Sequence, residues 1–146
     1  MDTGAVLRRF ARRRVYFDAN VFIFVLTHHE RYGELCSELL QACADGEIFG
    51  LSGHATLAEL LVKPLRDNDA RTVFQVHEIL GEDCGITLVE HNKACFEQAA
   101  ALRARHKLKW VDALHLATAI HAGAACFVSH DFQFPQMPEI ECLTLD

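Results

Sequence analysis

The stretch VYFDANVFIF, residues 15–24, decides the fold class that we predict for this chain. Three strand-forming residues, Val15–Phe17, lead directly into the carboxylate of Asp18, and after the amide of Asn20 the chain is apolar again from Val21. A short apolar strand that passes at once into an apolar helix is typical of a parallel sheet whose two faces are both covered by helices. The charge and the amide therefore stand where the strand ends, at the edge of the expected core.

The rest of the chain repeats this alternation of short apolar strands and helical patterns. The predicted strands are Val15–Phe17, Ile48–Leu51, Ile86–Val89, Cys126–Ser129 and Cys142–Leu145. The predicted helices are Val21–Thr27, Tyr32–Ala44, Ala55–Val62, Ala70–Leu80, Lys93–Arg105 and Trp110–His121. The third helix is expected to end or kink near Lys63, because Pro64 disfavours helix in the residue before it. We predict an α/β fold, a three-layer α/β/α sandwich with a parallel central sheet of roughly five strands.

Length and composition exclude several classes of protein. At 146 residues and 51 % hydrophobic content, the chain is long enough to bury a core in one domain and too apolar to be disordered. No apolar stretch reaches the roughly 18 residues of a membrane span, and no apolar segment of a secretory signal follows the N-terminal arginines. Six cysteines without a C-x-x-C pair indicate reduced core thiols of a cytoplasmic protein. A zinc site or a disulfide framework is the weaker interpretation.

The charge is unevenly distributed along the sequence. Five arginines against Asp2 give residues 1–14 a net charge of +4, so the other 132 residues carry −10 of the total of −6. Such a basic arm on an acidic body could bind a polyanion, and the alternative is a solvated, flexible extension. We accordingly divide the chain into a basic N-terminal extension, residues 1–14, and a single domain, residues 15–146.

Four acidic residues occupy apolar surroundings. Asp18 and Asp131 each follow a predicted strand. Glu59 lies in the apolar helix HATLAELLV, and Asp112 opens the helix WVDALHLATAIHA. Because ligands of open parallel sheets bind beyond the carboxyl ends of the strands, we expect these acids to meet in one cleft there. A divalent cation, Mg²⁺ or Mn²⁺, is the economical counter-charge for such an oxygen-rich site.

Each acid also has a structural alternative when it is taken singly. Asp18 and Asp112 could cap the helices that they precede or open. Asp131 could belong to a turn, and Glu59 could lie on an exposed stripe of its helix. The shared context of the four residues favours a common site, since charged side chains are seldom buried without a partner or a metal.

Three further side chains are predicted to support the acids. Asn20 and Ser129 are neutral oxygen donors near the first and the last acid. His115 lies three residues after Asp112, so on a helix the two share a face and the imidazole could donate to the cleft. The alternative for His115 is a hydrogen-bonded histidine of the core.

The chain resembles the PIN-domain nucleases, especially the VapC toxins of bacterial VapBC toxin–antitoxin pairs, in four segments. These are VYFDANVFIFVL, ATLAELLVKPL, WVDALHLATAIHAG and FVSHDFQF, and the resemblance runs from about Val15 to the C-terminus. It implies a parallel α/β/α sandwich whose acids bind Mg²⁺ or Mn²⁺ and which cleaves RNA. It also implies a homodimer and an antitoxin protein as a partner.

Carried over by motif, the catalytic acids of the family fall on Asp18, Glu59, Asp112 and Asp131. We expect the three aspartates to be metal ligands, directly or through water, and Glu59 to orient the attacking water or a second ion. Asn20 and Ser129 match common polar neighbours of the first and last acid.

The sequence departs from the family pattern in its last motif. Ser129-His130-Asp131 stands where many members read T-N-D. Gln133 and Phe134 stand where many members carry a further acid, which puts a second metal position in doubt.

The expected function is that of a Mg²⁺- or Mn²⁺-dependent endoribonuclease, the toxin of a toxin–antitoxin pair. The alternatives are a housekeeping RNA-processing nuclease and a non-catalytic scaffold with the same fold. A phosphatase of the haloacid dehalogenase type is a further rival, but it would need an acid where Asn20 stands.

Overall fold

The fold is described here from a computed structural model for residues 2–130 and 134–145. The strands are β1 (Arg14–Phe17), β2 (Phe49–Gly53), β3 (Ile86–Val89), β4 (Cys126–Ser129) and β5 (Glu141–Thr144). The helices are α1 (Thr3–Phe10), α2 (Ala19–Leu26), α3 (Gly33–Ala44), α4 (His54–Arg66), α5 (Ala70–Ile79), α6 (Lys93–Arg105) and α7 (Trp110–His121).

The five strands form one parallel sheet in the order β3-β2-β1-β4-β5. The chain therefore builds the sheet outward from β1 in one direction and then returns to its other side with β4. The strand order reverses between β1 and β4, and in open α/β sheets a crevice for ligands forms at the carboxyl ends of such a pair. Asp18 follows β1 directly, and Ser129 is the last residue of β4.

Side chains of β1 alternate between two buried cores, as expected for a strand covered on both faces. Val15 and Phe17 belong to a cluster with apolar residues of α1 to α5, whereas Tyr16 points into a second cluster with α6 and α7. All three side chains are fully buried. The prediction of an α/β fold with a parallel sheet of five strands is confirmed.

The observed boundaries differ from the predicted ones chiefly in α4. This helix continues through Pro64 to Arg66, so of the two predicted alternatives near Lys63, an end or a kink, the end is wrong. Proline in a helix removes the N–H bond to the preceding turn and crowds the carbonyl four residues earlier. Pro64 itself is buried, and α4 packs along α5, so tertiary contacts support the last turn in place of the missing bond. The other helices end within two residues of their predicted ends.

The N-terminal residues form a helix that the apolar pattern did not predict. Val6 and Phe10 of α1 are buried against the core beside α3. On its other side, Arg9 forms an ion pair with Glu141 of β5, and a guanidinium nitrogen of Arg13 lies 3.8 Å from the same carboxylate. These contacts tie the basic segment to the amino-terminal edge of the sheet.

All six cysteines are free thiols, and five of them are buried. Burial raises the pKa of the Cys36 and Cys43 thiols to about 12, so both thiols stay protonated at neutral pH. In the part of the chain that the structure describes, no helix has both the length and the apolar character needed to cross a bilayer.

Candidate active site

Asp18 lies at the carboxyl end of β1 with only 4 % of its surface exposed. Its Oδ1 accepts a hydrogen bond of 2.7 Å from the backbone N–H of Ala19, which caps α2. Its Oδ2 accepts a hydrogen bond of 2.9 Å from the hydroxyl of Ser129, so the contact spans the gap between β1 and β4. The Asp18 carboxylate thus caps α2 with one oxygen and contacts Ser129 with the other.

The environment of Asp18 disfavours the ionised form of its carboxyl group. Burial raises the pKa of this carboxyl above its ordinary value, and the nearby His115 ring and the two hydrogen bonds lower it only in part. The negative charge of Glu59 raises the pKa further, so the two carboxylates are close enough to repel each other. A cation bound between them would relieve both effects.

Glu59 reaches this region from α4 and is held there by two buried side chains. Its Oε1 lies 2.6 Å from Nε2 of His115, whose ring is completely buried on α7. The other ring nitrogen of His115, Nδ1, lies 2.6 Å from the phenolic oxygen of Tyr16 on β1. The Glu59 side chain remains 36 % exposed, so it is tied on one side and open to solvent on the other.

The direction of these two hydrogen bonds follows from their chemistry. Burial, followed by the charges of Asp18 and Glu59, raises the pKa of Tyr16 far above its ordinary value, so the phenol keeps its proton and can donate it to Nδ1 of a neutral imidazole. A neutral imidazole that accepts at Nδ1 carries its proton on Nε2 and donates it to the Glu59 carboxylate. His115 is thus a buried histidine with a hydrogen-bond partner at each ring nitrogen, and its role as a donor to the cleft stays a prediction.

A second histidine, His91, lies beside the first and fixes the start of α4. Its Nε2 accepts a hydrogen bond of 3.0 Å from the backbone N–H of Ala55, and its Nδ1 lies 2.7 Å from the hydroxyl of Thr118 on α7. The rings of His91 and His115 are 5.8 Å apart and nearly perpendicular. Burial, and then the neighbouring His115, lower the pKa of His91 to about 4. His91 is thus a neutral cap for the helix that carries Glu59.

Gly53, which precedes α4, is required by this arrangement. A Cβ atom at this position would collide with the phenolic oxygen of Tyr16 and with the ring of His91. The close approach brings β2 and the start of α4 against the buried polar groups of the site.

The remaining predicted residues are placed less completely. Asp112 lies in the first turn of α7, partly exposed and one turn before His115, so the two share a helix face as predicted. Asn20 lies in the first turn of α2 and is partly exposed. Asp131, predicted as a catalytic residue and a metal ligand, lies outside the described residues.

The described donors suit a hard cation in their chemistry. Two carboxylates and a hydroxyl, with Asp112 on the adjoining helix, are oxygen ligands of the kind that Mg²⁺ and Mn²⁺ prefer. Among residues 2–130 and 134–145, however, no three histidine, cysteine or acidic side chains are arranged closely enough to hold an ion by themselves. The part of the site that the structure describes is therefore a pair of carboxylates, Asp18 and Glu59, with their hydrogen-bond partners.

Sequence reasoning missed three residues of this site: Tyr16, His91 and Gly53. His91 could have been predicted, because it follows β3 at the carboxyl edge of the sheet, where ligands of parallel sheets bind. Tyr16 and Gly53 carry no such signal, because their roles depend on contacts with α7 and with the segment after β3.

A cavity of about 810 Å³ lies at the opposite, amino-terminal edge of the sheet. It is lined in part by Arg12, Arg14 and Phe49, and none of the three predicted acids that the structure describes lines it. The chemistry of the acids, and not the size of a cavity, identifies the site.

Comparison with known proteins agrees with this architecture. The PIN domain family model matches residues 15–140, and the chain belongs to this family. No curated protein matches the sequence.

The structure is similar to several solved toxin–antitoxin proteins at low sequence identity. A toxin–antitoxin complex from Klebsiella pneumoniae aligns with a TM-score of 0.67 and 18 % identity, covering 89 % of this chain and 96 % of that one. VapBC2 from Rickettsia felis, bound to a DNA fragment from its promoter, aligns with a TM-score of 0.69 and 16 % identity over 91 % and 99 %. The sarcin–ricin loop cleaving toxin VapC20 of Mycobacterium tuberculosis aligns with a TM-score of 0.61 and 14 % identity. The alignment covers 77 % of this chain and 86 % of that one. The chain therefore has the fold of VapC-type PIN domains.

Proposed function

We propose that this PIN domain is a divalent-metal-dependent endoribonuclease and the toxin of a type II toxin–antitoxin pair. The observation that carries the proposal is the carboxylate of Glu59, which buried His115 and Tyr16 hold at the same edge of the sheet as buried Asp18. A protein that used this edge only for packing would gain nothing from a second carboxylate that raises the pKa of buried Asp18. Such a pair is expected where a site binds a cation.

Each acid has a role in the proposed reaction. Asp18, Asp112 and Asp131 would hold Mg²⁺ or Mn²⁺, directly or through water. When bound, such an ion lowers the pKa of water and stabilises negative charge on the phosphate in the transition state. Glu59 would orient the attacking water, and His115 would hold its carboxylate in place.

The proposal is tested by RNA cleavage with the protein in EDTA, Mg²⁺ and Mn²⁺. The same assay is run on four acid-to-amide variants: Asp18→Asn, Glu59→Gln, Asp112→Asn and Asp131→Asn. Activity should require the metal and should be lost in at least three variants. Retention of full activity in two or more would mean that the acids are misassigned.

Two controls separate this function from its rivals. Asp45→Asn on the far side of the molecule, an exposed residue at the end of α3, should leave cleavage unchanged. A generic phosphate ester should not be hydrolysed, because a phosphatase of the haloacid dehalogenase type would require an acid at Asn20. Binding of RNA without cleavage in every metal would indicate a non-catalytic scaffold.

We further propose an antitoxin partner, a homodimer and a cytoplasmic location. The support is the fold shared with proteins solved as toxin–antitoxin complexes, together with six free cysteines that suit a reducing compartment. A small gene next to this one whose product copurifies with the chain and stops its cleavage of RNA would establish the toxin. Growth that is unaffected by expression of the chain alone would instead favour a housekeeping RNA-processing nuclease.

A further inference from the structure

A surface of cationic and aromatic residues lies next to the proposed active site. It comprises the end of α6, the connecting segment and the first residue of α7. We call it the basic patch and define it by Arg103, Arg105, Lys107, Lys109 and Trp110.

The patch has a fixed geometry around the indole of Trp110. The guanidinium carbon of Arg103 lies 4.7 Å from the centre of the indole ring. Nε of the same arginine donates a hydrogen bond of 2.8 Å to the carbonyl of Leu108, whose side chain is buried. The contacts cover one part of the ring, yet Trp110 remains 52 % exposed. The indole is thus held in place with open aromatic surface.

The patch concentrates positive charge on a body that is otherwise acidic. Residues 15–146 contain nine lysines and arginines, and four of them fall within residues 103–110. No acidic residue occurs between Glu97 and Asp112. All four cationic side chains are exposed, and within the described ranges none of them forms an ion pair. Their charge is therefore available to a ligand.

The position of the patch connects it to the cleft. Trp110 and Asp112 both lie in the first turn of α7, about 3 Å apart along the helix axis and about 200° apart around it. Trp110 therefore lies on a different face of α7 from Asp112, beside Arg103 of α6. The N-terminal arginines lie elsewhere, because Arg14 begins β1 at the amino-terminal edge, whereas Asp18 follows the end of that strand.

Resting on the nuclease function proposed above, we propose that the basic patch binds single-stranded RNA beside the cleft. Its lysines and Arg105 contact phosphates, and one base outside the cleaved linkage stacks on the indole of Trp110. A single strand is the favoured ligand, because stacking on a side chain requires an unpaired base and cations alone would not need an exposed aromatic ring. The patch also supplies the attraction for RNA that the acidic cleft lacks.

Trp110 is the only tryptophan of the chain, so its fluorescence reports this contact directly. Wild-type protein in EDTA at low salt is titrated with a single-stranded oligoribonucleotide, and binding is followed in parallel by the anisotropy of labelled RNA. Indole emission should be quenched with the same saturation curve as the anisotropy. Trp110→Ala should weaken binding by roughly 5- to 150-fold, and Trp110→Phe should restore part of it, since stacking of a base contributes that much.

The charge of the patch is tested with a matched pair of double variants. Lys107→Glu with Lys109→Glu should weaken binding and make the dependence of log affinity on log salt shallower by about 1.4, as expected for the loss of two phosphate contacts. Arg66→Glu with Arg71→Glu makes the same change in net charge on exposed positions of α4 and α5 and should leave that slope nearly unchanged.

Several results would overturn the proposal. These are an emission that RNA does not change, equal affinity for duplex RNA of the same length, and equal effects of the two double variants. If the Trp110 emission changed with protein concentration and not with RNA, the basic patch would instead be a contact surface for a second copy of the chain. Because the titration contains no metal, it is independent of cleavage: quenching without cleavage in Mg²⁺ would contradict the nuclease alone, and cleavage without quenching would contradict the basic patch alone.

Discussion

Nε2 of His115 lies 2.6 Å from Oε1 of Glu59, although the two residues are 56 positions apart in the sequence. The imidazole is completely buried, and the carboxylate is partly exposed. On the far side of the ring, Nδ1 lies 2.6 Å from the phenolic oxygen of Tyr16, so both ring nitrogens have a hydrogen-bond partner. The partly exposed Glu59 carboxylate is therefore held by a buried ring of α7. Tyr16 of β1 holds that ring from its other side.

Replacement of His115 by alanine should reduce RNA cleavage by about 10- to 100-fold, the range found when a group that orients an active-site residue is removed. Glu59 would lose its only hydrogen-bond partner among the described residues. The measurement is kcat/KM on an oligoribonucleotide. His121→Ala, an exposed change at the end of the same helix, serves as the control and should have little effect. Equal rates for His115→Ala and wild type would contradict the role assigned to this ring.

Asp18→Asn should raise the stability of the metal-free protein at pH 7 while it abolishes cleavage. The folded-state pKa of Asp18 lies above its unfolded value, so its ionisation costs folding free energy once the pH exceeds the unfolded pKa. Asparagine retains an acceptor for Ala19 and can donate to Ser129 without a buried charge. Thermal unfolding in EDTA should show Tm rising by roughly 2–4 °C for each kcal/mol gained.

This gain should shrink as the pH falls toward the ordinary pKa of an aspartate, because the wild-type carboxyl then becomes neutral as well. Mg²⁺ should raise Tm of the wild type and not that of Asp18→Asn. A variant that is less stable than the wild type at pH 7 would show that the charge on Asp18 contributes to folding, contrary to its burial.

His91 should make the stability of the fold sensitive to mild acid. Its folded-state pKa of about 4 lies below the ordinary value of a histidine, so the stability that it contributes is complete above pH 6.5 and is lost as the pH falls toward 4. Protonation at Nε2 would remove the acceptor for the Ala55 N–H and place a positive charge at the start of α4.

Urea unfolding at intervals between pH 7 and pH 4 checks this dependence. The wild type should lose more stability over the range than His91→Gln, whose side chain does not titrate. His106→Gln, a partly exposed histidine after α6, should follow the wild-type curve. Parallel curves for the wild type and His91→Gln would rule out His91 as the sensitive group.

Gly53→Ala should destabilise the protein by about 1–3 kcal/mol, as added atoms do in a closely packed region. The new methyl group would collide with the Tyr16 hydroxyl and the His91 ring, both of which belong to the site. Gly81→Ala is the matched control, since its backbone φ is also negative and its Cβ would meet two backbone oxygens at 3.2 and 3.4 Å. Chemical denaturation measures both variants, and an equal loss of stability in the two would contradict the collision.

The sequence was sufficient to predict those features that depend on local pattern. Apolar runs such as Val15–Phe17 and Cys126–Ser129 identify buried strands, and the rule that ligands bind at their carboxyl ends places Asp18 and Ser129 near each other. Their hydrogen bond of 2.9 Å is the contact expected between the residues that follow and end neighbouring strands.

Other features could not be predicted because they depend on distant contacts. In the sequence, Tyr16 has the pattern of an ordinary strand residue. Its contact with His115 of α7, 99 positions away, exists only in the folded structure. Pro64 disfavours a helix locally, but packing along α5 carries α4 past it. In α1 only Val6 and Phe10 are buried, too few to produce a clear apolar period in an eight-residue segment rich in arginine.

Asp18 caps α2 and also lies at the carboxyl edge of the sheet, where the proposed active site is. These two roles affect how the sequences of related genes should be interpreted. Selection for folding alone would preserve an aspartate or asparagine at this position after activity had decayed, because α2 still needs its first N–H satisfied. Within the described part of the chain, the Glu59 carboxylate caps no helix and bonds only to His115. Among descendants of this chain, a glutamate retained at position 59 opposite His115 would therefore distinguish working enzymes from inactive copies better than the aspartate that begins the motif.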